Sequence, residues 1–459
     1  MNESHIDTNA NTGNNDARMQ SVDQIIKPRW LLPIDDDATV LENHAVAIAG
    51  ERIAAVDSCA AIDARYRTAN AITITLADHA LMPGFINAHT HAPMTLLRGY
   101  ADDLPLLEWL TAHIWPAESK WVDAEYVEVG ADLALAEMIR GGTTCFNDMY
   151  FFPDIVAARA EAAGMRACVG MIVLDAPTVW AQDADEYIGK GLELMDAVRH
   201  SPLITTAFAP HAPYTVSDQP LERIRTLADE LECGVHTHVH ETAREIEESL
   251  ERHGMRPLQR LEQLGLLGPR LVAVHLTQLL PDEIDLVAER GVKVAHCPQS
   301  NLKLASGICP VARLTAAGAS VAIGTDGASS NNDLDMLSEM QTASLLAKGA
   351  SGNPAALPAH AALRAATMGG AEALGLAHLT GGIAAGKQAD LAAIDLSAPA
   401  TQPLYHPLSQ IAYSAARDQV TDVWVGGRRL LENRRLTTLD EAEIIRQAAE
   451  WSRRIAGNS

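Results

Sequence analysis

His89 and His91 stand two residues apart in Asn87-Ala88-His89-Thr90-His91. On an extended segment that spacing turns both imidazoles to one side. With a third histidine and an aspartate they would supply nitrogen and oxygen ligands for one divalent metal, Zn²⁺ foremost, with water completing the set. An isolated H-x-H is weak evidence, since either ring could simply bond a backbone group. It is not isolated here. Further histidines or an aspartate follow short apolar segments at Ala209-Pro210-His211, His236-Thr237-His238-Val239-His240-Glu241, Val274-His275, His296-Cys297-Pro298 and Gly324-Thr325-Asp326. His236, His238 and His240 share one strand face by period two, so spacing alone leaves the ligand among them open.

The elements that must position these residues form a regular alternation. Between about 83 and 387, β-rich segments at Leu81–Asn87, Thr143–Asn147, Arg166–Met171, Ile204–Ala209, Gly234–His238, Leu271–His275, Val292–His296 and Ser320–Thr325 are separated by helical patterns. Ala124–Arg140, closed by Gly141-Gly142, and Leu221–Glu232 are examples. Eight strands interleaved with helices predict an α/β fold, a (β/α)₈ TIM barrel, whose active-site mouth gathers the C-terminal strand ends. Alternation alone also admits a doubly wound open sheet, but no G-x-G-x-x-G follows the first strand to support a dinucleotide-binding version. Outside the barrel, Val46–Val56 carries apolar stretches around a glycine turn, and Val423–Leu431 carries a Gly426-Gly427 hairpin signal. With Leu391–Leu396 these predict one small β-sandwich formed from both chain ends, because neither end alone has strands enough to bury a face. The expected division is a polar tail at 1–22, β-sandwich parts at 23–82 and 388–437, the catalytic barrel at 83–387, and a C-terminal helix at 438–459 started by a Thr438-x-x-Glu441 capping box.

Composition narrows the functional class. The 459 residues are 47% hydrophobic and 20% charged, with a net charge of −24. That charge disfavours nucleic acid and anionic lipid, and there is no dense Lys/Arg run to compensate. No apolar run is long enough to span a bilayer, and Met1–Arg18 lacks the features of a secretory signal. Six cysteines without a C-x-x-C suit a reducing compartment, so a cytoplasmic location is expected.

Taken together the motifs resemble the amidohydrolase superfamily, in the branch of the 5′-methylthioadenosine/S-adenosylhomocysteine deaminases and the related s-triazine hydrolases. The resemblance spans about residues 40–435. It rests on Met82-Pro83-Gly84-Phe85-Ile86-Asn87-Ala88-His89-Thr90-His91, Glu137–Thr144, His211-Ala212-Pro213-Tyr214, His238-Val239-His240-Glu241-Thr242, His296-Cys297-Pro298, Gly324-Thr325-Asp326-Gly327 and Gly386–Leu391. It implies metal ligands at His89, His91, His238 and Asp326, with His238 selected because the family ligand precedes the catalytic glutamate by three residues. It implies one metal per subunit, since His211 occupies the fourth-strand position where binuclear relatives carry a bridging ligand. Glu241 would protonate a ring nitrogen and shuttle the proton to the leaving amine, Asp326 would take a proton from water, and His275 would hold the hydroxide or polarise the attacked centre. Glu118 and His211 match nucleoside-contacting positions, with Glu118 accepting from the ribose hydroxyls. Trp115 would stack on a ring or simply pack, and Thr95–Trp121 is a candidate lid.

The expected activity is hydrolytic deamination of adenine nucleosides, with an s-triazine or other aminated-heterocycle hydrolase as the alternative and a non-catalytic scaffold as a remote one. A small-molecule nucleoside is the expected partner, without nucleic acid or membrane. Self-association as a homo-oligomer is compatible with the sequence but not specified by it.

Overall fold

Eight parallel strands, in chain order, form the centre of the molecule: β1 (Phe85–Thr90), β2 (Thr143–Met149), β3 (Arg166–Val173), β4 (Ile204–Pro210), β5 (Gly234–Val239), β6 (Leu271–His275), β7 (Lys293–His296) and β8 (Ser320–Ile323). The coordinates, a computed structural model, describe residues 21–66 and 71–457. All but the last two residues of the expected polar tail lie outside them. β2 and β3 are buried along their whole length, as parallel strands covered on both faces must be.

Closure brings the last strand to the first through a glycine. A Cβ on Gly324 would stand 2.7 Å from the backbone nitrogen of His89, so only glycine lets the chain pass there, and Asp326 N–H then donates to the His89 carbonyl at 3.0 Å. The end of β8 is thereby held against the H-x-H segment.

The helix Ala124–Arg140 forms as expected, with the Asp123 carboxylate accepting from Tyr126 N–H and Gly141 ending it. Other boundaries shift for identifiable reasons. β1 starts at Phe85 rather than Leu81, because Leu81–Pro83 ends a long strand of the outer sheet, Ile72–Pro83. The helix expected at Leu221–Glu232 is Asp218–Glu230, since Pro220 in the first turn lacks only an N–H that the helix would not use. The C-terminal helix Glu441–Ile455 is capped by Asp440, which accepts from Glu443 N–H. Thr438 instead donates to the Ala163 carbonyl.

Both chain ends meet in a separate nine-stranded sheet. Its junction is Ile72–Pro83, which runs parallel to Gln24–Leu31 on one side and antiparallel to Leu391–Asp395 on the other. Gly426 and Gly427, with φ of 53° and 73°, turn the hairpin between Val420–Val425 and Arg428–Glu432. Asp390 ties this sheet to the barrel floor. Its carboxylate receives Arg166 Nε at 2.9 Å and Gly426 N–H at 2.7 Å. Arg166 opens β3, at the barrel end remote from the active-site mouth, where such residues serve stability.

Candidate active site

The C-terminal end of the barrel draws His89, His91, His238 and Asp326 into one cluster whose ligand atoms all lie within 4.8 Å of one another. Asp326 Oδ1 stands 3.2 Å from Nε2 of both His89 and His91, and the Nε2 atoms of His89 and His238 are 3.1 Å apart. Four ligands about 2.1 Å from a tetrahedral zinc ion are separated by about 3.4 Å, so these side chains are spaced to share one ion. Their protons agree. Nδ1 of His91 donates to the Met149 carbonyl at 2.5 Å and Nδ1 of His238 to the His211 carbonyl at 2.6 Å. Each such bond fixes a proton on Nδ1 and turns Nε2 toward the cluster. Asp326 is oriented through its other oxygen, which accepts from Ser300 and Ser330 hydroxyls at 2.6 and 3.0 Å. The residue sits at φ 64°, a strained backbone held by the closure around Gly324.

Burial and partners divide the ionisation states. Burial pushes His89 down to about 4 and His238 well below the ordinary imidazole value, so both are neutral. For Asp326, burial favours the neutral acid, but hydrogen bonds from His89 and His91 outweigh it and hold the carboxyl well below its usual range. Glu241 is raised, chiefly by burial.

Glu241 Oε2 lies 3.8 Å from His275 Nε2, and Oε1 lies 3.5 Å from the Ser306 hydroxyl. A carboxylate at this point of the chain could have been an idle first-turn residue of the helix Ala243–His253. That place belongs to Glu245. Glu245 accepts the backbone N–H of His240 and Glu241 at 2.9 and 2.7 Å, fixing the turn that carries Glu241. His275, at φ 76°, places Nδ1 2.8 Å from Asn301 Oδ1 and leaves Nε2 toward Glu241.

A cavity of about 950 Å³ opens over the cluster, lined by His91, His238 and Asp326 and by Glu241, His275, His211 and Glu118. His211 is held by Thr215 Oγ1 at 3.0 Å and is neutral, burial taking it to about 3. Glu118 accepts from the Tyr150 hydroxyl at 2.8 Å, and burial pushes its carboxyl up to about 7. Trp115, 40% exposed, is also in the wall. The segment before Glu118 contains a π-helical turn, Trp109–Ile114, leading into the helix Trp115–Trp121 that presents Glu118.

His89, His91, His211, His238, Glu241, His275, Asp326, Glu118 and Trp115 thus meet at one mouth, whereas His236, His240 and His296 are buried and do not line the cavity. The supporting residues Asn301, Ser300, Ser330, Glu245 and Tyr150 were not anticipated. Ser300 and Asn301 follow the His296-Cys297-Pro298 motif, which was the one available pointer; the others have no spacing signal.

The sequence profile of the amidohydrolase family matches residues 80–430. The chain belongs to this family, and it is an enzyme of the family's barrel type. It is 48% identical over 435 residues to a 5-methylthioadenosine/S-adenosylhomocysteine deaminase of Teredinibacter turnerae, covering 95% of this chain and 98% of that one. The corresponding deaminase of Saccharophagus degradans is 46% identical over 94% of this chain and 97% of its own. Among solved structures, an adenosine deaminase from Xanthomonas campestris with bound zinc superposes with a TM-score of 0.93 at 53% identity, covering 95% and 99%. An atrazine chlorohydrolase of Arthrobacter aurescens complexed with zinc has a TM-score of 0.87 at 24% identity, covering 93% and 99%; that likeness is one of fold.

Proposed function

We propose that the protein hydrolytically deaminates adenine nucleosides, namely 5′-methylthioadenosine, S-adenosylhomocysteine or adenosine, to the inosine counterpart and ammonia. The observation that carries this reading is the cavity in which the four-ligand cluster, the buried acid Glu241 and the half-buried carboxyl Glu118 meet. The names of relatives near half identity over almost the whole chain support it. Three imidazoles and one carboxylate suit Zn²⁺, the ion held by the Xanthomonas protein. Such an ion, when bound by His89, His91, His238 and Asp326, supplies the Lewis acidity that makes water nucleophilic near neutral pH.

The chain's own groups move the protons. Glu241 donates its proton to the ring nitrogen beside the carbon bearing the amine, and that carbon becomes electrophilic. Asp326, held ionised, takes one proton from the attacking water and passes it to the departing amine, which leaves as ammonia. The remaining hydroxyl proton returns to Glu241 as the carbonyl forms. His275 orients the nucleophile through Nε2. Glu118 accepts from the vicinal ribose hydroxyls, and His211 lies against the nucleoside. We place the enzyme in the cytoplasm. All six cysteines are free thiols, and among the described residues no helix is long and apolar enough to cross a membrane.

The test is a screen of purified protein against adenosine, methylthioadenosine, S-adenosylhomocysteine, guanine and melamine by ultraviolet change and ammonia release. Turnover of a nucleoside is expected. Inert nucleosides alongside ammonia from guanine or melamine would replace this reading with another aminated heterocycle.

A further inference from the structure

One histidine of the barrel centre has no part in the chemistry above. His236 is fully buried, two residues before His238 on β5 and on the same inner face. Its ring lies 4.9 Å from that of His89, nearly perpendicular at 79°. Nε2 of His236 is 2.9 Å from Nδ1 of His89. On its far side, Nδ1 of His236 is 3.2 Å from Asn147 Nδ2, which also donates to the Ala88 carbonyl at 2.9 Å. Asn147 Oδ1 is buried with no partner.

This arrangement differs from the support given to the other two imidazoles. His91 and His238 donate to backbone carbonyls, which only accept, so their tautomers are settled by the fold. His89 faces another imidazole, which donates or accepts according to where its own proton sits. With the proton on Nε2, His236 donates into Nδ1 of His89, and the His89 proton is forced onto Nε2, the atom aimed at the cluster. With the proton on Nδ1, His236 accepts from His89, and the ligating lone pair is free. The second state puts a donor against Asn147, so the amide must give up the Nδ2 bond to the Ala88 carbonyl and turn its unpartnered oxygen to His236. Which end of the amide faces His236 is therefore coupled to the ligand's tautomer.

We propose that His236 is the positioning residue for the metal ligand His89, setting its ligating tautomer by accepting Nδ1–H. The inference rests on the metal site assigned above. Outer partners of metal-bound histidines typically contribute 10- to 100-fold in affinity.

The test compares His236→Leu with His236→Gln in the full chain. Zn²⁺ affinity is measured for the metal-free proteins by competition with a chromophoric chelator, and the Co²⁺ visible spectrum reports ligand geometry. The leucine variant should bind zinc about 10- to 100-fold more weakly with an altered Co²⁺ spectrum. The glutamine variant, whose amide oxygen accepts Nδ1–H, should stay within a few-fold of the parent. Unchanged zinc binding by the leucine variant, or equal weakening in both, would overturn the proposal. A parent chain that binds no zinc would instead overturn the metal site. Should the leucine chain fail to fold, ¹⁵N-histidine spectra of the zinc-loaded parent decide, with His236 assigned by its loss in His236→Gln. A proton on Nδ1 of His236 supports the inference, and one on Nε2 overturns it.

Discussion

Replacing Glu118 by glutamine should weaken nucleoside use while strengthening the fold, and the two effects have separate pH signatures. The Glu118 carboxyl is raised by burial from 4.5 to about 7. Its unfolded form therefore releases its proton first as pH rises, so between 4.5 and 7 the native state binds more protons and stability falls with pH; above 7 the cost is constant. The full shift, at 1.36 kcal/mol per unit, sets a destabilisation of at most about 3 kcal/mol at pH 8 and roughly half that at pH 5.5. Glutamine keeps an oxygen for the Tyr150 hydroxyl but carries no charge. Glu118→Gln should therefore denature later than the parent at pH 8, with the advantage shrinking at pH 5.5, both measured by circular dichroism at equal zinc. Against substrate the sign reverses. Losing a charge-assisted bond to the ribose costs about 1.5–3 kcal/mol, so kcat/KM for methylthioadenosine should fall roughly 10- to 100-fold, while residual activity on free adenine is unchanged. A variant no more stable than the parent at pH 8, or one that loses adenine and nucleoside equally, would refute the buried-carboxyl reasoning.

Glu241→Gln should bind zinc as the parent does while kcat drops by about 10²–10⁴; undiminished ammonia release would remove Glu241 from proton transfer. Asn301→Leu, which strips the partner from His275 Nδ1, should lower kcat about 10- to 100-fold with zinc content by atomic absorption unchanged. Gly324→Ala drives a methyl into the His89 backbone and should cost about 1–3 kcal/mol of stability together with zinc affinity. Thermal denaturation and chelator competition check both, and an unperturbed variant would show that β8 has room to move.

Much of the site was legible because strand chemistry is periodic, but period two left His236, His238 and His240 open and the family resemblance alone selected His238. His89 and His91 declare a shared face through their spacing, and His211, His275 and Asp326 each end an apolar segment at the barrel mouth. The same local logic placed Ala124–Arg140 between Asp123 and Gly141. It misplaced the start of β1, because an apolar run carries no mark of which sheet it joins, and Leu81–Pro83 completes the outer sheet's pairing with Leu391–Ala393. It also credited Thr438 with a cap that Asp440 supplies.

What sequence alone determined is therefore the set of chemical groups, their strand-end positions and the alternation that closes a barrel, all properties of residue type and near spacing. Tertiary structure decided the second layer: Asn301 behind His275, Ser300 and Ser330 behind Asp326, Tyr150 on Glu118, and His236 between His89 and Asn147. These contacts join residues from 4 to 147 positions apart. Short-range hydrogen-bond geometry selects such partners only after closure has brought the strands together, and closure depends on the absence of a side chain at Gly324.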